Sequence, residues 1–231
     1  MALTLLPVMG MPEVQPGDDL VTLLLAHAEL ADGDVVVVTQ KIVSKAEGRL
    51  VRLEGDEPEA ARQVVESESV RVLRRRGDLV VSETSHGFVC ANAGVDLSNV
   101  ASGWVAVLPA DPDRSARRIR DGVLGRAGIR VAAVVSDTFG RPWRRGVTDV
   151  AIGVAGLAAV VDLRGSTDAL GRTLRATEVC VADEIASAAE LVMGKSAGIP
   201  AAIVRGVDAS WLREGSVSAE IVRPYAEDLF R

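Results

Sequence analysis

VVVVT, residues 35–39, is an unbroken run of β-branched side chains that turns polar only at Thr39. A strand with one wet face alternates apolar and polar residues, whereas a strand covered on both faces has no need to. The run therefore reads as a strand buried on both sides. VAAVVSD, residues 131–137, repeats the signature. Two such strands need helices above and below, and the flanking sequence supplies them. PGDD at 16–19 is a turn with an acidic start to a helix reaching about Leu30. Residues 111–128, DPDRSARRIRDGVLGRAG, are amphipathic behind an Asp or Ser cap, and ADEIASAAELVMG at 182–194 is a third helix. Residues 58–76 also carry helical spacing, with Ala61, Val64, Val65, Val70 and Val72 on one side.

The remaining segments read as strands and turns. Residues 3–8 form a short strand, and 79–109 alternate brief apolar runs with Gly, Asn, Asp and Ser. VTDVAIGVAGLAAVVD, residues 147–162, is apolar but interrupted by Gly, as strands in close backbone contact are. LRATEVC and PAAIVRG add two more strands, and the tail to Arg231 is less regular. The spacing is not the even βα repeat of a Rossmann or TIM sheet. The class is α/β or α+β with mixed sheets; the strand order is not legible.

Hydrophobic residues make up 48% of the 231 and aromatics only 3%, so the core must be aliphatic. The net charge of −6 lacks the basic excess of a protein that tracks nucleic-acid phosphates. Basic clusters at 74–76, 117–120 and 141–145 still allow a small anionic ligand. Cys90 and Cys180 form no CxxC pair, which argues against a zinc site or disulfide framework and for buried thiols. The first residues lack a basic n-region, and no apolar run is long enough to span a bilayer, so no membrane is expected and the cytoplasm is the expected compartment.

Five segments could carry chemistry. SDTFGRPWRRG, 136–146, leaves the buried strand at Ser136. Asp137 and Thr138 would then emerge as hard oxygen donors suited to Mg²⁺ or Mn²⁺, with Gly140 allowing a tight turn. Arg141, Arg144 and Arg145 follow, and guanidinium groups grip phosphate or carboxylate. A capped turn with solvated arginines reads equally well. NAGVDLSN, 92–99, crowds Asn92, Asp96, Ser98 and Asn99 together, and Asp96 could pair with Asp137 around a metal. These residue types also favour ordinary turns. TQKIVSKAEGR, 39–49, places Lys41 and Lys45 at a strand exit, either to neutralise a polyphosphate or as a plain surface loop through 44–48. MGKSAG, 193–198, resembles the end of a Walker A motif. It fails because residue 189 is Ala and the segment follows a helix rather than opening one, although its backbone amides could still touch phosphate. Asp183 and Glu184 open a helix, either as complements to its dipole or as a further carboxylate near the metal. GxSxG and GxGxxG are both absent.

LPVMGMPEVQPGDDL, DGDVVVVTQKIVSKAEGR, NAGVDLSNV, LPADPDRSA, VVSDTFGRPWRRGVTDVAIGVAGL, TEVCVADEIASAAELVMGK and PAAIVRG together resemble the coenzyme F420-0:γ-glutamyl ligases, in order and over nearly the whole chain. The resemblance implies an intertwined homodimer of mixed α/β protomers, with residues 1–231 as one ligase unit, divisible at most into two subdomains. It implies an enzyme dependent on GTP and on Mg²⁺ or Mn²⁺, with K⁺ as a further candidate cation. Such an enzyme adds L-glutamate to F420-0 and then further γ-linked glutamates in coenzyme F420 biosynthesis. Carried across, Asp96, Asp137 and Thr138 resemble the metal ligands, and Asp96, Asp137, Arg141 and Arg144 the catalytic set. Gln40, Lys41, Lys45, Asn99, Met11, Pro12, Glu13 and Val14, and the loop Met193, Gly194, Lys195, Ser196, Ala197, Gly198 and Ile199, resemble nucleotide contacts. Two features depart from the family. Leu170 stands before Gly171 where an aromatic is common, and the 193–199 loop is short. RPYAEDLFR at the end is similar to the junction before a flavin-dependent C-terminal domain, which this sequence does not contain. The alternatives are a ligase of the same fold with another carboxylate acceptor, and a nucleotide-binding domain without activity of its own.

Overall fold

The computed structural model describes residues 2–228 and Phe230. In chain order the elements are β1 (Thr4–Pro7), α1 (Leu20–His27), β2 (Val35–Thr39), α2 (Gln40–Ala46), β3 (Leu50–Arg52), α3 (Glu57–Ser67), β4 (Ser69–Arg76), β5 (Leu79–Thr84), β6 (Val89–Ala91), β7 (Trp104–Ala106), α4 (Pro112–Ala127), β8 (Ala132–Arg141), β9 (Arg144–Ala155), β10 (Val161–Asp162), β11 (Glu178–Val179), α5 (Val181–Met193), β12 (Ala201–Arg205) and α6 (Val217–Glu220). The central sheet has the order β1-β12-β2-β8-β9. Only β2 and β8 run parallel; the other neighbours are antiparallel. The mixed α/β class expected from the sequence is the one observed.

Successive side chains of a strand point to opposite faces, and β2 feeds two cores. Val36 and Val38 join Ala133 and Val135 against helices α1, α2 and α4. Val35 and Val37 join Ala132 and Val134 against α5 and the 217–222 segment. All four valines are fully buried, which is why the run has no polar alternation. A third, smaller core packs α3 against β3, β5 and β7, around Leu53, Val65, Val80 and Val105.

Close backbone approaches fix the layers. A Cβ on Gly153 of β9 would lie 2.3 Å from the Pro112 carbonyl, so α4 rests directly on the strand. Asp19 caps α1 by accepting from the Val21 and Thr22 amides, and Asp111 caps α4 through the Arg114 amide. Gly128, with φ of 71°, closes α4 in the left-handed conformation.

Four expectations need correction. The helical spacing of 58–76 holds only to Ser67; Ser69–Arg76 is a strand paired with β5, because Val70, Val72 and Leu73 stay largely exposed on a ribbon rather than lining a helix face. The polar stretch after Thr39 is helix α2 and not a loop, with only its last residues turning. The strand expected to end at Ser136 runs on to Arg141 and forms a hairpin with β9 whose turn is at Pro142–Trp143 rather than at Gly140. LRATEVC contributes only the two residues of β11. The irregular tail holds α6 and two 3₁₀ turns; Leu229 and Arg231 lie outside the described residues.

Candidate active site at the carboxyl ends of β2 and β8

Ligands in α/β sheets collect where parallel strands end. Here the parallel pairing of β2 and β8 ends, with Thr39 opposite Ser136, and β8 runs on alone with β9. A cavity of about 280 Å³ opens there, lined by residues from five separate segments.

The first segment is the turn Met11, Pro12, Glu13 and Val14. The second is α2, where Gln40, Lys41 and Lys45 line the cavity on one helical face. The Ser44 hydroxyl, itself buried, donates to Gln40 Oε1 (2.9 Å) and so orients that side chain. Lys45 is buried and ion-pairs with Glu13, joining α2 to the first segment.

The third segment carries Asp96 and Asn99. Asn92, Ala93 and Gly94 all have positive φ, and this tight left-handed turn re-aims the chain toward the cavity. Asn92 is used structurally: its Oδ1 accepts from the Val80 amide at 2.9 Å. Asp96 and Ala106 exchange both backbone hydrogen bonds at 2.9 Å, which pins Asp96 in place. Its carboxylate meets Lys41 at 2.9 Å and accepts from the Ser98 amide at 2.7 Å. Burial alone would raise its pKa, but the hydrogen bonds from Lys41 and Ser98 prevail and hold it below the usual value.

The fourth segment is the β8–β9 hairpin, which supplies Ser136, Asp137, Thr138 and Asp149. Burial, reinforced by the nearby negative charges of Asp96 and Asp149, pushes the Asp137 carboxyl up to about 7. Asp149 is buried and pairs in register with Thr138, whose hydroxyl it accepts at 2.7 Å; it also accepts from Ser136 at 3.2 Å. The fifth segment is the end of α5 and the loop after it: Glu190, Gly194, Lys195, Ser196, Gly198, Ile199 and Pro200. Lys195 reaches Asp149 at 2.6 Å and Glu190 at 3.0 Å. Burial works against its charge, yet the hydrogen bonds to Asp149 and Glu190 keep its pKa above the ordinary value.

The cavity thus brings together Asp96, Asp137, Thr138, Gln40, Lys41, Lys45, Asn99, the 11–14 turn and most of the 193–199 loop. It leaves out four of the expected site residues. Met193 is buried in the core under α5, and Ala197 does not line the cavity. Arg141 and Arg144 lie exposed at the hairpin tip, where Arg141 donates to the Arg145 carbonyl at 2.8 Å. Asp183 is spent on structure, accepting from the Ala151 amide at 2.8 Å, with burial raising its pKa. Cys90 is buried and Cys180 partly so, and burial raises both thiols to about 12, which makes them inert.

The sequence reading missed Asp149 and Glu190. Glu190 could have been found from its place in the last turn of α5, just before the loop that carries Lys195. Asp149 was hidden by a register shift between Gly140 and Arg141. Counted from the turn without that bulge, Val147 would face Thr138.

Among the described residues no group of three or more His, Cys, Asp or Glu side chains is set to hold a metal ion alone. The donor chemistry nevertheless fits a hard cation: the Asp96, Asp137 and Asp149 carboxylates are close enough to raise the pKa of the middle one, and the Thr138 hydroxyl is adjacent.

The family pattern described as "F420-0:Gamma-glutamyl ligase" matches residues 9–206. The chain belongs to this family. It is 42% identical to the coenzyme F420:L-glutamate ligase of Methanothermobacter thermautotrophicus over the full length of both chains. It is 43% identical to the protein of that name from Archaeoglobus fulgidus, over 100% of this chain and 97% of the relative. Against the Methanopyrus kandleri protein of that name the identity is 44%, over 95% of this chain and 94% of the relative. The chain is accordingly a ligase that forms carbon–nitrogen bonds. No helix among the described residues is long and apolar enough to cross a membrane.

Proposed function

We propose that this ligase joins the amine of L-glutamate to a carboxylate of coenzyme F420-0, and then adds further glutamates through γ-links, with GTP as phosphoryl donor. One observation carries the reading. The cavity draws three lysines and three aspartates from distant parts of the chain to the ends of β2 and β8, in a relative of proteins named for this ligation.

A carboxylate is a poor electrophile, and its oxygen leaves poorly. Transfer of the γ-phosphoryl group of GTP to that oxygen gives an acyl phosphate and GDP. The glutamate amine then attacks the carbonyl carbon, the amide forms, and inorganic phosphate departs with the acyl oxygen. Asp96, Asp137 and Thr138 would hold Mg²⁺ or Mn²⁺, which would supply positive charge to offset that of the phosphates. Lys41 and Lys45 stand on one face of α2, where they would pair with the nucleotide's phosphates as those charges redistribute. The 11–14 turn and the 194–199 loop would close over the nucleotide and keep water from the acyl phosphate.

Arg141 and Arg144 are exposed at the hairpin tip and do not line the cavity of their own protomer. Trp143, 82% exposed, and Val147, 59% exposed, sit beside them. An intertwined homodimer would cover these side chains and carry the arginines to a second copy.

The experiment is oxygen tracing. F420-0 labelled with ¹⁸O in the reacting carboxylate should yield phosphate carrying one label for the first glutamate joined, and unlabelled phosphate for each glutamate added after it. Mono-glutamylated product formed without any labelled phosphate would rule the acyl phosphate out.

A further inference from the structure

Thr138 has one hydroxyl proton, and buried Asp149 accepts it at 2.7 Å. The Thr138 oxygen is thereby left as an acceptor toward the cavity. A cation already sits on it: Lys195 Nζ donates to Thr138 Oγ1 at 2.5 Å and to Asp149 Oδ1 at 2.6 Å, with Glu190 Oε1 at 3.0 Å. Three oxygens, two of them anionic, converge on one ammonium, and such a donor set also suits a hard divalent ion. Lys195 is itself half exposed, on the loop that follows α5, so its ammonium can depart without disturbing the core.

We propose that Lys195 is an exchangeable counter-cation and Asp149 the residue that positions Thr138 to receive its replacement. Without nucleotide, the ammonium occupies the Thr138–Asp149 pair. A divalent ion that takes Thr138 displaces the ammonium, which turns to the incoming phosphate. One lysine therefore opposes the metal alone and favours metal and nucleotide together. No bond is made or broken in the exchange. The inference rests on the metal-nucleotide reading of the cavity but is tested without turnover.

The test measures Mn²⁺ binding to nucleotide-free protein from the loss of the free-ion paramagnetic resonance signal, and GTP binding in saturating Mn²⁺ by calorimetry. Lys195→Met should bind Mn²⁺ about tenfold more tightly and GTP about tenfold more weakly, because a competing cation lowers the fraction of open sites while a lost phosphate partner lowers affinity. Lys195→Arg, which keeps the charge, should restore the weak Mn²⁺ binding. In an Asp149→Asn background the Lys195→Met change should no longer tighten Mn²⁺. If Asp149→Asn does not fold, Thr138→Val serves the same purpose. A purely structural tether predicts that Lys195→Met leaves Mn²⁺ binding unchanged or weakens it, and either result overturns the exchange. Unchanged Mn²⁺ binding in a variant that still ligates glutamate would leave the proposed function standing. Tighter Mn²⁺ binding in Lys195→Met, beside a wild-type protein that ligates nothing, would keep the exchange and overturn that function.

Discussion

The Lys41 ammonium lies 2.9 Å from the Asp96 carboxylate and 2.7 Å from the Ser98 hydroxyl, so α2 and the 95–100 loop are joined by charge inside the cavity. A partly exposed pair of this kind adds less than about 1 kcal/mol to stability. Lys41→Met should therefore leave the melting temperature within about 3 °C of wild type, yet weaken GTP binding at least about tenfold through loss of a phosphate partner. Calorimetric titration alongside thermal melting reads both. Undiminished GTP binding would remove Lys41 from the nucleotide site.

Asp137 should show stability and function pulling apart. Its carboxyl is pushed up to about 7 by burial and by Asp96 and Asp149, so ionising it costs the metal-free fold. A raised carboxyl pKa means that stability falls as pH rises from the unfolded value of about 4 toward 7. Asp137→Asn should thus raise the melting temperature at pH 8 by roughly 2–4 °C per kcal/mol of relieved strain, and by much less at pH 5. The same variant should lose ligation and stop responding to Mn²⁺. An equal fall in melting temperature at both pH values would contradict the charge argument.

Asp113 is the structural counterpart. It accepts from the Val154 and Val217 amides at 2.9 and 3.0 Å, from the Ser216 hydroxyl at 2.8 Å, and from the Ser218 amide and hydroxyl, tying α4, β9 and the start of α6 together. Burial raises its pKa, but these bonds outweigh it and the net shift is downward. A lowered carboxyl pKa contributes stability above the unfolded value of about 3.9, and the contribution is lost as pH falls through the lower folded value. Asp113→Ala should cost about 3 kcal/mol or more at pH 7, since several buried donors lose their acceptor. Urea midpoints for wild type and Asp113→Asn should converge below about pH 4. A gap as wide at pH 3 as at pH 7 would assign the effect to shape rather than charge.

Two glycines test the packing. Gly153→Ala drives a methyl into the Pro112 carbonyl and the Asp113 amide, both backbone, and should destabilise by about 3 kcal/mol, the upper end of the overpacking range. Gly125, inside α4, has nothing within 4 Å of its added Cβ, so Gly125→Ala should stabilise by roughly 0.5–1 kcal/mol. Chemical denaturation of the pair checks both signs. A harmless Gly153→Ala would mean that α4 does not rest on β9 as described.

What the sequence revealed follows from which forces act locally. VVVVT and VAAVVSD announced strands buried on both faces because burial removes the need for alternation. The acidic turn at 16–19 and the Asp or Ser cap at 111–115 marked helix starts because capping depends on a few neighbouring residues. Residues 69–76 misled because their apolar side chains stay on an exposed ribbon, where pairing with β5 rather than burial decides the structure. At the site, Asp96, Asp137 and the lysines could be named as types suited to phosphate and metal, but their convergence depends on strand order. Asp149 required a bulge that no spacing rule reveals, and the arginines required knowing that β8 continues past Ser136.

Ligation of glutamate to F420-0 with hydrolysis of GTP to GDP and phosphate is the reaction proposed for this cavity. Purified protein incubated with GTP, Mg²⁺ or Mn²⁺, L-glutamate and F420-0, with GDP release and product mass read together, tests it most directly. GDP release should require both F420-0 and glutamate, with the acceptor gaining mass in glutamate-sized steps. GTP binding without acceptor-dependent GDP release, or release with no gain in acceptor mass under either metal, would contradict it.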